Sequence, residues 1–220
     1  MKTRILAASA AAAFAAALSR SQTVSTLPEP SPRASVSQVV GISTVSVDYH
    51  RPSVKGRKVW GDLVPFGFND LGFGSSRAAP WRAGADENTV VTFGSDAEVE
   101  GKSLKAGSYG LSMAVAQDGS VTVIFSRDTQ LWGSFFYDPS KDALRVATHW
   151  EDAPFREQLE YDFASVTDDS AVLALDWAGK RIPIRIRFDT PAIVEESLRS
   201  ELRGRKGFTY EPWVEASQYL

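Results

Sequence analysis

The chain has 220 residues, with 24 Lys plus Arg against 27 Asp plus Glu and a formal charge of -3, so it has no electrostatic reason to seek nucleic acid or an anionic membrane surface. It has no cysteine, which excludes disulfides, thiol catalysis, cysteine-based zinc sites and a lipid-modified N-terminal cysteine. Its two histidines, His50 and His149, leave little room for histidine-dependent chemistry.

The chain opens with Lys2 and Arg4, then an apolar or small run over residues 5–18 and the small residues of Ala17-Leu18-Ser19. This pattern predicts a signal peptide over residues 1–19, cleaved after Ser19. The run is short of the ~18 to 20 apolar residues that a membrane span needs. The expected product is periplasmic or secreted. Residues 20–35 are polar and carry Pro28, Pro30 and Pro32, which predicts a linker, with order beginning near Val36.

From Val36 the pattern is β. Val45, Val47 and Tyr49 alternate with Ser46, Asp48 and His50. Residues 67–79 hold three glycines and no periodicity, which predicts a long surface loop. Asp118-Gly119 stands between runs at residues 109–116 and 121–126, a hairpin signal. Ile124 makes both faces of the second run apolar. Phe155, Glu157, Leu159, Tyr161 and Phe163 fall on one face of a further expected strand. Ile182, Ile184, Ile186 and Phe188 alternate with Arg181, Pro183, Arg185 and Arg187. Period-two alternation puts successive side chains on opposite faces of a sheet. Pro183 cannot donate to a ladder, so this strand is expected at an edge or paired on one side there. About nine or ten strands with tight turns predict an all-β antiparallel sandwich, jelly-roll-like, over residues 36–189.

After Asp189 the period changes. Thr190 as cap, Pro191 in the first turn, and Val194, Leu198 and Leu202 four residues apart predict a helix stopped by Gly204. A second helix is expected from Glu211-Pro212, with Trp213, Ala216 and Leu220 on one face. It reaches Leu220 without a capping signal, so the helical tail over residues 190–220 reads as truncated.

Three clusters carry residue types suited to chemistry. Arg51, Lys55 and Arg57 leave a strand through a turn; they suit a carboxylate or phosphate, or else pair with acids of their own domain. Trp81, Arg82, Asp86 and Glu87 stand just before a strand. Adjacent side chains point apart, so Asp86 and Glu87 are not expected to share a substrate, and an Arg82 ion pair is the simpler use. Trp132, Gly133 and Tyr137 belong to an aromatic-rich segment that suits a sugar ring or a buried core, with Gly133 permitting close backbone approach. No Gly-x-Ser-x-Gly elbow occurs. A metal site would have to bring His50 and His149 together with Asp48 or Asp138, which nothing in the spacing requires.

Taken in order, SQVVG, VDYHRPSVKGR, GDLVPFG, PWRAGADENT, EGKSLKAGSYGL, LWGSFFYDPSKDALRV and VTDDSAVLALDW resemble the exported bacterial family called domain of unknown function 2911. The resemblance runs from about Ser35 to Phe188. It implies export and a β-rich domain, and it brings no activity or catalytic residue. The chain departs from the family pattern twice. Residues 67–79 intervene before Trp81, and Asp86 stands where the family has Asn. The tail GFTYEPWVEASQYL is similar to the opening of a helical extension in some members.

The functional expectation is a non-catalytic exported module. It binds a small polar or saccharide-like ligand, or an envelope partner, through Arg51, Lys55, Arg57, Trp81, Arg82, Glu87, Trp132 and Tyr137. It calls for no cofactor, no metal, no nucleic acid and no membrane span in the mature chain. Two alternatives stand beside it. One is a glycosidase-like hydrolase using Glu87 with Asp86 or Asp138. The other is an interaction protein acting through an apolar stripe at Val194, Leu198 and Leu202.

Overall fold

Alternation of dry and wet side chains becomes paired strand from Arg33 onward. The computed structural model describes residues 27–75 and 77–219. The expected leader and Leu220 of the expected last helix lie outside the described residues. In chain order the strands are β1 (Arg33–Val40), β2 (Ser43–His50), β3 (Asn69–Asp70), β4 (Ala78–Ala79), β5 (Thr89–Phe93), β6 (Ala97–Val99) and β7 (Lys102–Leu104). They continue as β8 (Gly107–Val115), β9 (Ser120–Ser126), β10 (Asp142–His149), β11 (Glu151–Asp152), β12 (Glu160–Ala164), β13 (Ser170–Trp177) and β14 (Lys180–Arg187). Helices α1 (Thr190–Leu202) and α2 (Glu211–Tyr219) follow. The surplus over the expected nine or ten strands comes from the two- and three-residue ribbons.

One sheet runs β1-β2-β5-β8-β9-β10 and the other β12-β13-β14-β6-β7, with β11 on β14. Every pairing between these strands is antiparallel. The alternating residues Val45, Val47, Val91, Phe93, Leu111 and Met113 of the first sheet share one core with Leu173, Leu175, Ile182, Ile184 and Ile186 of the second. Each such side chain contributes about 1.5–3 kcal/mol by leaving water. The antiparallel sandwich expected from the sequence is the architecture that forms.

Pro183 sits opposite Ala174 on one side. On the other, β11 pairs only with residues 180–181 and β6 only with residues 186–187, so the ladder has a gap at the proline. The Thr148 hydroxyl donates to the Pro183 carbonyl at 2.7 Å.

Three local expectations are corrected. Alternation over residues 155–163 yields strand only from Glu160; Phe155 is 64% exposed. The preceding backbone bonds to loops instead, with Val54 N donating to Glu157 O and Leu159 N to Pro52 O. The cap of α1 is Asp189, which accepts from Ala192 N; Thr190 instead donates to Asp168 O at 2.9 Å.

Residues 67–79 are the third. They hold the β3–β4 ribbon, pinned by Gly67 N to Val115 O and Ser75 N to Phe135 O, both 2.8 Å. At Gly74 a Cβ would lie 2.1 Å from the Phe135 carbonyl oxygen, so only glycine fits. Ala79 of the ribbon covers Ile124 and Tyr137 on the outer face of the first sheet. This explains why Ile124 is apolar on an otherwise wet face.

Candidate functional site

The site is built on the loop between Trp81 and Thr89. Trp81 pairs through its backbone with Met113, N to O at 2.9 Å and back at 2.8 Å. The chain then leaves the sheet through Ala83 (φ 51) and Asp86 (φ 54). Left-handed backbone is rare for residues with a side chain and costs on the order of 1–2 kcal/mol each, least for Asn and Asp. Four side-chain bonds hold the loop in place. Ala83 O accepts from Tyr161 Oη at 2.8 Å and from Thr89 Oγ1 at 3.1 Å. Trp81 Nε1 donates to Gly84 O at 3.2 Å, and Arg82 Nη1 to Asp86 O at 2.7 Å. Burial pushes the Tyr161 phenol well above its usual range, so it stays a donor. Such backbone persists where the surrounding bonds over-determine it.

Arg82 lies flat against Gly133 and 5.5 Å over the Phe135 ring. Gly133 has φ 64, and a Cβ there would reach to 2.4 Å from Arg82 Cζ. Burial pulls the guanidinium below its ordinary pKa, and the charge of Asp86 opposes that pull. The group remains protonated at any ordinary pH.

Trp81 stacks on Trp177 at 6.0 Å and 18°. Trp60 meets both edge-on, at 5.9 and 6.0 Å, and Trp150 joins Trp60 at 5.3 Å. These indoles close one end of the sandwich. Beside them opens a cavity of about 310 Å³ lined by Ser31, Arg57, Trp81, Arg82, Asp86 and Trp177, among others. A smaller cavity of about 120 Å³ shares Trp81 and Arg82 and is walled by Asn69 and Leu71 of the inserted segment.

A model of the family described as protein of unknown function (DUF2911) matches residues 31–186. The chain belongs to that family. No curated protein and no solved structure matches it. The DUF2911 match covers both sheets except Arg187, and the whole Arg82 loop; α1 and α2 lie beyond it.

Within the DUF2911 domain, the eight candidate residues do not form one face. Arg57, Trp81 and Arg82 converge on the end cavity. Arg51 is taken up internally: its Nε donates to Leu159 O at 2.9 Å and its Nη2 lies 3.6 Å from Glu160. Lys55 is an exposed turn residue at φ 47 whose backbone N–H donates to Glu157. Glu87 lines a different cavity, of about 540 Å³, where its carboxylate lies 3.4 Å from His50 Nε2 and Glu29 lies 3.8 Å from the same atom. Trp132 bridges Glu87 through its backbone and leaves its ring exposed.

Tyr137 is 5% exposed, which removes it as a stacking platform. Its hydroxyl donates to Asp142 at 2.7 Å and accepts from Arg145 at 2.6 Å. Burial, followed by the Asp142 carboxylate, raises its pKa. Phe68 of the inserted ribbon covers the ring.

The adjacent hydrolase pair does not converge either. Asp86 and Glu87 line separate cavities. Asp138 caps a short 3-10 turn by accepting from Ser140 N, which lowers its pKa. Among the described residues no group of three His, Asp or Glu side chains is arranged to hold a metal ion. No helix among them is long and apolar enough to cross a membrane.

Sequence reasoning missed Trp60 and Trp177. Trp177 ends an inward-facing alternation on β13, and Trp60 follows the basic turn by three residues. Both signals were present, but neither says that the rings meet Trp81.

Proposed function

We propose that this chain is an exported, non-catalytic module that binds a small polar ligand in the end cavity of its sandwich. The observation that carries the reading is the convergence of Arg57, Trp81 and Arg82, from two separate segments, on one concavity beside stacked indoles. Pockets of this size with a few fixed polar groups in apolar walls suit small molecules. The concave setting favours a ligand over an envelope protein, which needs a broader surface. Asp86 is the one acid among the described lining residues, so the cavity lacks the acid and base pair that carboxylate-dependent hydrolysis uses. Export rests on the leader pattern of residues 1–19.

A thermal-shift screen of the processed chain against neutral sugars, sugar acids and small organic acids tests this reading. Ligands that bind only the folded state raise its melting temperature. The expected result is a saturable rise for at least one compound, reduced in both Arg57→Ala and Arg82→Gln. A rise that survives both substitutions, or no rise across the panel, removes the reading.

A further inference from the structure

Along β14 each outward arginine has an acid. Arg181 meets Asp176 at 2.6–2.7 Å, Arg185 meets Glu100 at 3.4 Å and Arg187 meets Asp169 at 3.1 Å. The end cavity differs. Arg57 donates to the carbonyls of Val54 and Ser53, and Arg82 to that of Asp86. Neither has a carboxylate within 4.0 Å among the described residues.

A carbonyl fixes a guanidinium without neutralising it, and most of its five N–H donors stay available. Arg82 is further held by Gly133 beneath it and the Phe135 ring beside it. A half-buried charge offset only by an Asp86 carboxylate beyond ion-pair distance is costly, and an incoming anion relieves that cost. Two guanidinium groups against the single carboxylate of Asp86 leave the lining one positive charge in excess. The accessible apolar walls include Leu63 and Trp81, which suit a ring-shaped, partly apolar body.

Resting on the binding reading above, we infer that the ligand is a carboxylate monoanion, of the kind a uronic acid represents, received by Arg82 with Arg57 adding charge at the same cavity. One negative charge matches the excess of the lining. A planar carboxylate also matches the guanidinium fork, whereas a dianionic phosphate overshoots the charge.

The test is a side-chain NMR titration of the ¹⁵N-labelled processed chain with sodium glucuronate, its uncharged methyl ester, and inorganic phosphate. Glucuronate is expected to move the Arg82 Nε–H and Trp81 Nε1–H signals saturably, with the ester at least ~10-fold weaker and phosphate weaker than glucuronate. Arg82→Gln is expected to erase the difference between acid and ester while keeping a dispersed spectrum. Arg82→Lys keeps the charge without the fork and should fall between; it carries the test if the Gln variant does not fold.

Equal binding of acid and ester overturns the anion inference and leaves the binding module standing. Phosphate binding as tightly as glucuronate overturns the carboxylate assignment. No response to glucuronate overturns the inference, and the neutral members of the thermal-shift panel then decide separately whether the module reading survives.

Discussion

The arginines of β14 and those of the end cavity are the same side chain in two different employments. Arg181 is locked by a bidentate pair to Asp176, a carboxylate that is nearly buried. Side-chain hydrogen bonding to Asp176 raises the guanidinium's pKa. Arg82 is held just as firmly, but by a carbonyl, a glycine and an aromatic ring. Burial lowers its pKa. The first arrangement closes its electrostatics inside the fold. The second fixes a charge with no carboxylate in ion-pair contact among the described residues, which the proposed reading assigns to a ligand. On the proposed reading, pairing state separates scaffold arginines from binding ones more sharply than exposure does.

Four substitutions break or sharpen that contrast. Trp177→Ala removes a fully buried indole on which Trp81 stacks. It should cost about 4 kcal/mol in urea unfolding and abolish ligand binding together with stability. Asp176→Ala strips Arg181 of its partner and should cost about 2 kcal/mol while leaving ligand binding unchanged. Gly133→Ala collides with the Arg82 guanidinium at a left-handed backbone position. It should cost about 1 kcal/mol and, unlike Asp176→Ala, displace Arg82 and weaken glucuronate binding in calorimetry.

The smallest effect concerns Asp169. A hydrogen bond from Arg187, then one from Thr167, holds its carboxyl below the ordinary value of 3.8. The stability this adds is present above that value and is lost as pH falls through the lower folded one. Asp169→Asn should therefore melt slightly lower than the parent at neutral pH, and the two should converge in strong acid. A gap that persists in acid would assign the loss to packing instead.

Much of the fold was legible because alternation is a local signal. β2, the β8–β9 hairpin and β14 all follow from it, as does the ladder gap at Pro183. The same signal misled at Phe155, where loops rather than a neighbouring strand take the backbone bonds. Ile124 announced a covered outer face without naming the cover, because the β3–β4 ribbon that supplies it has no periodicity. The site was legible only in pieces. Trp81, Arg82 and Arg57 were visible as residue types suited to binding. Their separation from Tyr137, Glu87 and Arg51 depends on which cavity each strand end faces, and no local pattern encodes that. The left-handed turns at Ala83 and Asp86 were equally silent, apart from the family's Asn at the second position, a residue that tolerates such backbone.

A crystal structure of the chain from residue 20 onward with glucuronate bears most directly on the claim that Arg82 is a fixed cation, without an ion-pair partner, awaiting a carboxylate. The account predicts the sugar acid in the end cavity, its carboxylate within hydrogen-bonding distance of the Arg82 guanidinium and the Asp86 carbonyl still bonded behind it. Arg82 swung onto the Asp86 carboxylate, with the cavity holding no acid, would contradict it.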